Sequence, residues 1–164
     1  MGSYSSEESE LAIGVYCNME YKLLAQSDTG AFLELLELFE VVFEMKPFVR
    51  PDETYLRALL VSENFFSIVA AKDGRVVGGL TVYVLKQYFS KKPLAYIMDL
   101  AVMTQFQRQG IGSQLIDLTR RHCRELGCEE LFVQADRVDD YALDFYRKTN
   151  PSTEEDVLHY TYRL

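Results

Sequence analysis

The sequence predicts a mixed α/β fold with a largely antiparallel sheet, and three observations carry that reading. Strand-like and helix-period runs follow one another in the order β-α-α-β-β-β-α-β-α-β. Asp73-Gly74 joins two long apolar runs and is a strong hairpin signal. In "MDLAVMTQFQRQGIG", residues 98–112, an apolar strand passes through a polar turn into a glycine-spaced helix start, which makes one strand-helix-strand crossover.

The elements follow in order. "EYKLLAQSD" (20–28) reads as a first strand, leaving residues 1–18 as an N-terminal extension ahead of a domain over 19–164. From Thr29, the spacing Phe32, Leu35, Leu36, Phe39, Val42, Phe43 is helical, with Ser27, Asp28 or Thr29 available as cap. "PDETYLRALLVSE" (51–63) starts a second helix, with Pro51 near the cap and Asp52 and Glu53 where the macrodipole favours carboxylates. "FFSIVAAK" and "RVVGGLTVYVLKQY" form the hairpin, and "LAYIMDLAVM" (94–103) is a third long strand with Asp99 as its one polar residue. "QLIDLTRRHCREL" (114–126) is a helix stopped by Gly127, a natural C′ residue. "EELFVQA" (129–135) is a strand, "DDYALDFYRK" (139–148) a helix, and "EDVLHYTYRL" (155–164) a closing strand. Between the last two, Asn150 takes the left-handed cap position and Pro151 stops the helix.

Composition narrows function. The 164 residues are 48% hydrophobic, ample for one packed core, and no run of about 18 apolar residues suggests a membrane span. "MGSYSSEESE" has no basic n-region, so a cytoplasmic protein is expected. Cys17, Cys123 and Cys128 lack metal or redox spacing, and His122 and His159 lie far apart, so no metal is expected. A net charge of −8 disfavours nucleic acid and favours a cationic partner, although solubility alone accounts for such a charge.

A helix start presents unpaired N–H groups and the positive end of its dipole, and Gly110 and Gly112 let a bulky anion approach closely. A phosphate-bearing ligand is implied. Neither G-x-G-x-x-G nor G-x-x-x-x-G-K-[ST] occurs, which disfavours dinucleotides and Walker-type nucleotide binding.

"QRQGIG" (107–112) resembles the Q/R-x-x-G-x-G/A element of the GNAT superfamily of acetyl-CoA-dependent N-acetyltransferases, where this turn holds the coenzyme A pyrophosphate. More narrowly, "DLAV", "RQGI", "VQAD" and the "DD…A…Y" segment resemble the type I aminoglycoside 3-N-acetyltransferases, a similarity running from about residue 20 to the C-terminus. The resemblance implies a single GNAT-like domain whose sheet contains a splayed pair of strands and is flanked by about four helices. It implies acetyl-CoA as cosubstrate, a cationic aminoglycoside as acceptor, and acetylation of the 3-amino group of the deoxystreptamine ring, conferring resistance. Dimers are common in similar enzymes.

By position, the resemblance assigns pantetheine contacts to the backbone of Leu100, Ala101 and Val102. Gln107, Arg108, Gln109, Gly110, Ile111, Gly112 and Ser113 would cradle the pyrophosphate. Asp99 is the candidate base, since a carboxylate amid an apolar strand is costly unless something meets it; the alternative is a bulge residue pointing to solvent. Tyr146 is the candidate acid for the departing thiolate, or else a core aromatic with a satisfied hydroxyl. Asp99, Asp136, Asp139 and Asp140 would line the acceptor site, with Glu40 and Glu44 on the first helix as weaker candidates. Two other functions fit the same residues: a GNAT acetylating a polyamine or protein amine, and a non-catalytic acetyl-CoA-binding module.

Overall fold

The computed structural model describes residues 19–164. The chain divides into two compact units, one ending at Val133 and the other spanning Gln134–Leu164. The first unit is built on a five-stranded sheet in the order β1-β2-β3-β4-β5, comprising β1 (Met19–Leu23), β2 (Phe65–Lys72), β3 (Arg75–Leu85), β4 (Leu94–Val102) and β5 (Glu130–Val133). The first four strands pair antiparallel, and β4 pairs with β5 in parallel through the crossover helix α3 (Ile111–Glu125). This is the α/β fold with a mixed, mostly antiparallel sheet that the sequence predicts.

Helices α1 (Thr29–Val42) and α2 (Glu53–Val61) cover one face of the sheet. Phe32, Leu35, Leu38 and Phe39 of α1 and Leu56 of α2 join Phe65, Val69, Val76 and Ala101 of the strands in one core. The α1 stripe is rotated slightly from the expected one: Leu38 is buried, whereas Phe43 ends the helix 42% exposed. At Gly79, α1 meets the sheet closely: a Cβ there would lie 2.7 Å from Leu35 Cδ1 and 2.8 Å from the Ile68 carbonyl oxygen. The opposite face carries α3, whose His122 sets its ring edge-on against Phe66, centroids 4.7 Å apart.

Local chemistry fixes the element ends. Asp28 stands at the N-cap of α1 but does not cap it; its carboxylate accepts from the Ala25 N–H at 2.8 Å and the Lys22 ammonium at 2.7 Å. Asp52 does cap α2, accepting from the Tyr55 N–H at 2.9 Å. Asp73 and Gly74 both take positive φ, 51° and 76°, as a two-residue type I′ hairpin requires. Gly127 has φ 73°, with its N–H bonded to the Arg124 carbonyl and that of Cys128 to the Cys123 carbonyl, which makes a Schellman ending. Cys123 is buried, and burial pushes its thiol up to about 12.

The second unit contains α4 (Asp140–Lys148). Asn150 takes the left-handed conformation at φ 54°, as expected of the turn that ends this helix. The expected closing strand over 155–164 is not formed: these residues have no regular structure and are exposed. Their alternating apolar residues have strand propensity, but a strand also needs a ladder partner, and β5 pairs only with β4. The expected extension over residues 1–18, Cys17 included, lies outside the described residues.

Candidate active site

The site on the first unit begins with one extra residue in β4. Ile97 pairs with Val82 and Asp99 with Thr81, so Met98 has no partner on β3 and forms a β-bulge. A bulge bends its strand and increases local twist. The parallel ladder to β5 ends at Ile97 and Val133, immediately before the bulge. From Met98 to Val102, β4 keeps β3 on one side and, among the described residues, has no strand on its other edge. The splayed pair therefore has a local cause.

Alternation along the strand identifies the groups on that open edge. The Met103 N–H donates to the Val77 carbonyl of β3 at 2.9 Å. Two residues back, the backbone of Ala101 is directed to β3 as well, and those of Leu100 and Val102 face the open edge. Of the three residues expected to offer backbone groups, Ala101 is thus engaged in the ladder. The Val102 carbonyl also accepts from the Gln107 side chain at 3.0 Å, which ties the strand end to the loop that follows. The side chains of Ala101 and Val102 are buried and that of Leu100 half-buried.

The bulge also decides which way Asp99 faces. Tyr83 pairs with Tyr96 ahead of the bulge, and Thr81 with Asp99 after it, so all four side chains share the face of α1 and α2. In an unbulged strand, residues 96 and 99 would face opposite sides. The Asp99 carboxylate is half-buried and receives no hydrogen bond or ion pair among the described residues. Burial holds its carboxyl above the usual carboxylate range. A half-buried acid that no hydrogen bond or ion pair among the described residues engages is suited to meet a cationic ligand or accept a proton.

Beyond β4, a 3₁₀ turn over Thr104–Phe106 leads to the loop and α3. Arg108 and Gly110 are left-handed, at φ 59° and 83°. Gly110 is the N-cap of α3, so no side chain caps this end, and the first turn holds no acid. The loop is braced from within by Gln109, whose side chain donates to the Gln105 carbonyl at 3.2 Å. An uncapped helix N-terminus without a competing carboxylate is suited to an anion such as a pyrophosphate, and the strand edge beside it suits an extended amide-bearing arm. The residues present fit coenzyme A on both counts. Among the described residues, no cluster of His, Cys, Asp and Glu could hold a metal, and no helix is long and apolar enough to cross a membrane.

Comparison with known proteins agrees with this geometry. The Acetyltransferase (GNAT) family matches residues 32–150. The chain belongs to the GNAT acetyltransferases. An aminoglycoside acetyltransferase from an uncultured soil metagenomic sample, solved in complex with trehalose, superposes with a TM-score of 0.87 at 55% identity, over 90% of this chain and 97% of that one. Its complex with sisomicin gives the same TM-score at 54% identity and the same coverage. A second aminoglycoside acetyltransferase of soil metagenomic origin reaches 0.84 at 31% identity, over 89% and 98% of the two chains. Among curated proteins, N-alpha-acetyltransferase 60 of Xenopus tropicalis is 27% identical over 124 residues, 65% of this chain and 51% of that one. The chain spans about half the length of the curated relatives it matches.

Most of the remaining candidates of this GNAT protein lie in the second unit. Asp139 is the N-cap of α4 and accepts from the Ala142 N–H at 2.9 Å; Asp140 sits in the first turn, and Asp136 is exposed ahead of the helix. The helix start thus engages one oxygen of Asp139. Tyr146 is half-buried, its ring edge-on to Phe145 with centroids 5.0 Å apart. In the first unit, Glu40 on α1 is half-buried, whereas Glu44, expected on the same helix, lies beyond its end at Val42, left-handed at φ 52° and exposed.

Sequence reasoning passed over Tyr83 and Tyr55. Tyr83 packs edge-on against buried Phe65 at 5.2 Å and shares the face of Asp99. Burial first, then Tyr55 and the Asp99 carboxylate, keep its phenol above the usual range and so uncharged. The run "RVVGGLTVYVL" has no local mark that separates Tyr83 from a core residue. Only its register against β4 does so.

Proposed function

We propose that this protein transfers the acetyl group of acetyl-CoA to an amine of an aminoglycoside, the 3-amino group of the deoxystreptamine ring, and so confers resistance. The observation that carries the reading is the 54% identity, over 90% of the chain, to an aminoglycoside acetyltransferase in complex with sisomicin. Acetyl-CoA supplies an activated thioester. Leu100 and Val102 hold its arm along the open edge of β4, and residues 107–113 hold its phosphates at the start of α3. Asp99 binds the acceptor ammonium and takes its proton, freeing the lone pair to attack. The C–N bond forms as the C–S bond breaks; the Tyr146 phenol gives its proton to the sulfur, and the second proton released from the acylated nitrogen restores the phenol. Asp136, Asp139 and Asp140 are assigned further contacts to the polycationic acceptor.

A second reading, acetylation of a protein amine, draws support from the N-alpha-acetyltransferase relatives, at lower identity and coverage. One experiment separates the two. Coenzyme A release is followed with sisomicin, with gentamicin and with a peptide bearing a free N-terminus, and the acetylated amine is located by NMR. Turnover confined to the aminoglycosides, with acetyl on the 3-amine, supports the reading; turnover confined to the peptide overturns it. Acetyl-CoA binding without release in any arm identifies a binding module and overturns both.

A further inference from the structure

Resting on that reading of the acceptor, we propose that Tyr83 selects the acceptor's shape, its ring offering a stacking surface for a cyclic amino sugar whose ammonium is held by Asp99. Tyr83 and Asp99 stand on adjacent strands and the same sheet face, their registers separated by the Val82–Ile97 pair and the bulge at Met98. Tyr83 is 38% exposed, a large amount for an aromatic residue beside fully buried Val82 in the same strand. It is also held in place, since Phe65 meets it edge-on and is itself packed on Phe32, ring centroids 5.6 Å apart. Tyr55 on α2, 56% exposed, adds a second aromatic that interacts electrostatically with Tyr83.

The chemistry of the pair fits a saccharide. A pyranose or aminocyclitol ring has a C–H face that packs on an aromatic ring while its amines and hydroxyls project sideways. A neutral phenol ring also attracts a nearby ammonium through its π-face. A linear polyamine can satisfy the carboxylate but has no ring face to stack. Asp99 therefore recognises charge, and Tyr83 recognises ring shape. Tyr83 acts by placing the acceptor and exchanges no proton.

The test measures kcat and KM for sisomicin, spermidine and acetyl-CoA in the wild type and in Tyr83→Phe, Tyr83→Leu and Tyr55→Leu, with thermal unfolding as folding control. Tyr83→Leu is expected to raise KM for sisomicin about tenfold, with kcat and the KM for acetyl-CoA nearly unchanged. Tyr83→Phe keeps the ring and is expected to stay within about twofold of wild type. Tyr55→Leu is expected to fall between them. A folded Tyr83→Leu with the wild-type KM for sisomicin overturns the proposal. Equal losses in Tyr83→Phe and Tyr83→Leu also overturn it, by assigning the effect to the hydroxyl. If the wild type acetylates spermidine but no aminoglycoside, the acceptor reading itself fails, a result distinct from either of these.

Discussion

Deleting Met98 tests whether the bulge creates the coenzyme site. Its neighbours Ile97 and Asp99 already pair with adjacent residues of β3, Val82 and Thr81, so excision leaves a regular ladder with Asp99 still opposite Thr81. Met98 is 53% exposed, so little core is lost. Without the bulge, β4 loses its bend and the pairing with β5 extends past Ile97. The open edge then closes over three backbone groups: the Leu100 N–H, the Leu100 carbonyl and the Val102 N–H. At about 1 kcal/mol net for each hydrogen bond, these amount to about 3 kcal/mol of arm binding. Acetyl-CoA affinity should fall by roughly a hundredfold. Calorimetric titration with acetyl-CoA measures this, and an unfolding temperature at or above that of the wild type shows that the strand has regularised. A folded deletion variant that binds acetyl-CoA as the wild type does would refute the reasoning.

Three substitutions carry four further expected outcomes. Asp99→Asn should lower turnover by about two orders of magnitude or more, as expected on loss of a positioned base. The same change should raise the unfolding temperature at pH 7, because burial lifts the folded-state pKa of this carboxyl above its unfolded value. Its cost is absent below the unfolded-state pKa and grows as pH rises through the folded one, so the gain should vanish in melts run toward pH 3. Gly79→Ala presses a Cβ against Leu35 of α1 and the Ile68 carbonyl of β2; since the carbonyl cannot yield like a side-chain tip, a loss of about 1–3 kcal/mol is expected in denaturant titrations. Tyr146→Phe should lower kcat with little change in either KM, and restoration of the rate with a substrate whose thiolate leaves unprotonated would identify the step; an unchanged kcat would make Tyr146 a packing aromatic.

What the sequence shows and what it hides divide by range. Asp73-Gly74, Gly127 and Asn150 announce their turns because the required φ is a property of one or two residues. The loop at 107–113 is legible for the same reason, since glycine spacing and a helix start are local. The bulge is not: nothing in "LAYIMDLAV" marks Met98 as the extra residue, which exists only in relation to β3. Tyr83 is hidden behind the same dependence on register. The expected strand over 155–164 errs in the opposite direction, because alternation supplies propensity but cannot supply a partner strand. Asp28 shows a third case, in which a good capping residue is drawn instead to Lys22 and the Ala25 N–H.

Helix α3 begins at Gly110 with no side-chain cap and no acid in its first turn. Most helices carry their own cap; this one leaves the position to whatever anion docks there. A phosphate bound at that end completes the helix as a serine or aspartate would elsewhere, so the ligand becomes part of the folded structure. At a free concentration a hundred times its Kd, such a ligand adds about 2.7 kcal/mol to the folded state. The lifetime of the protein in a cell would then follow the supply of its own cosubstrate, with the chain most open to unfolding and proteolysis when there is least acetyl group to transfer.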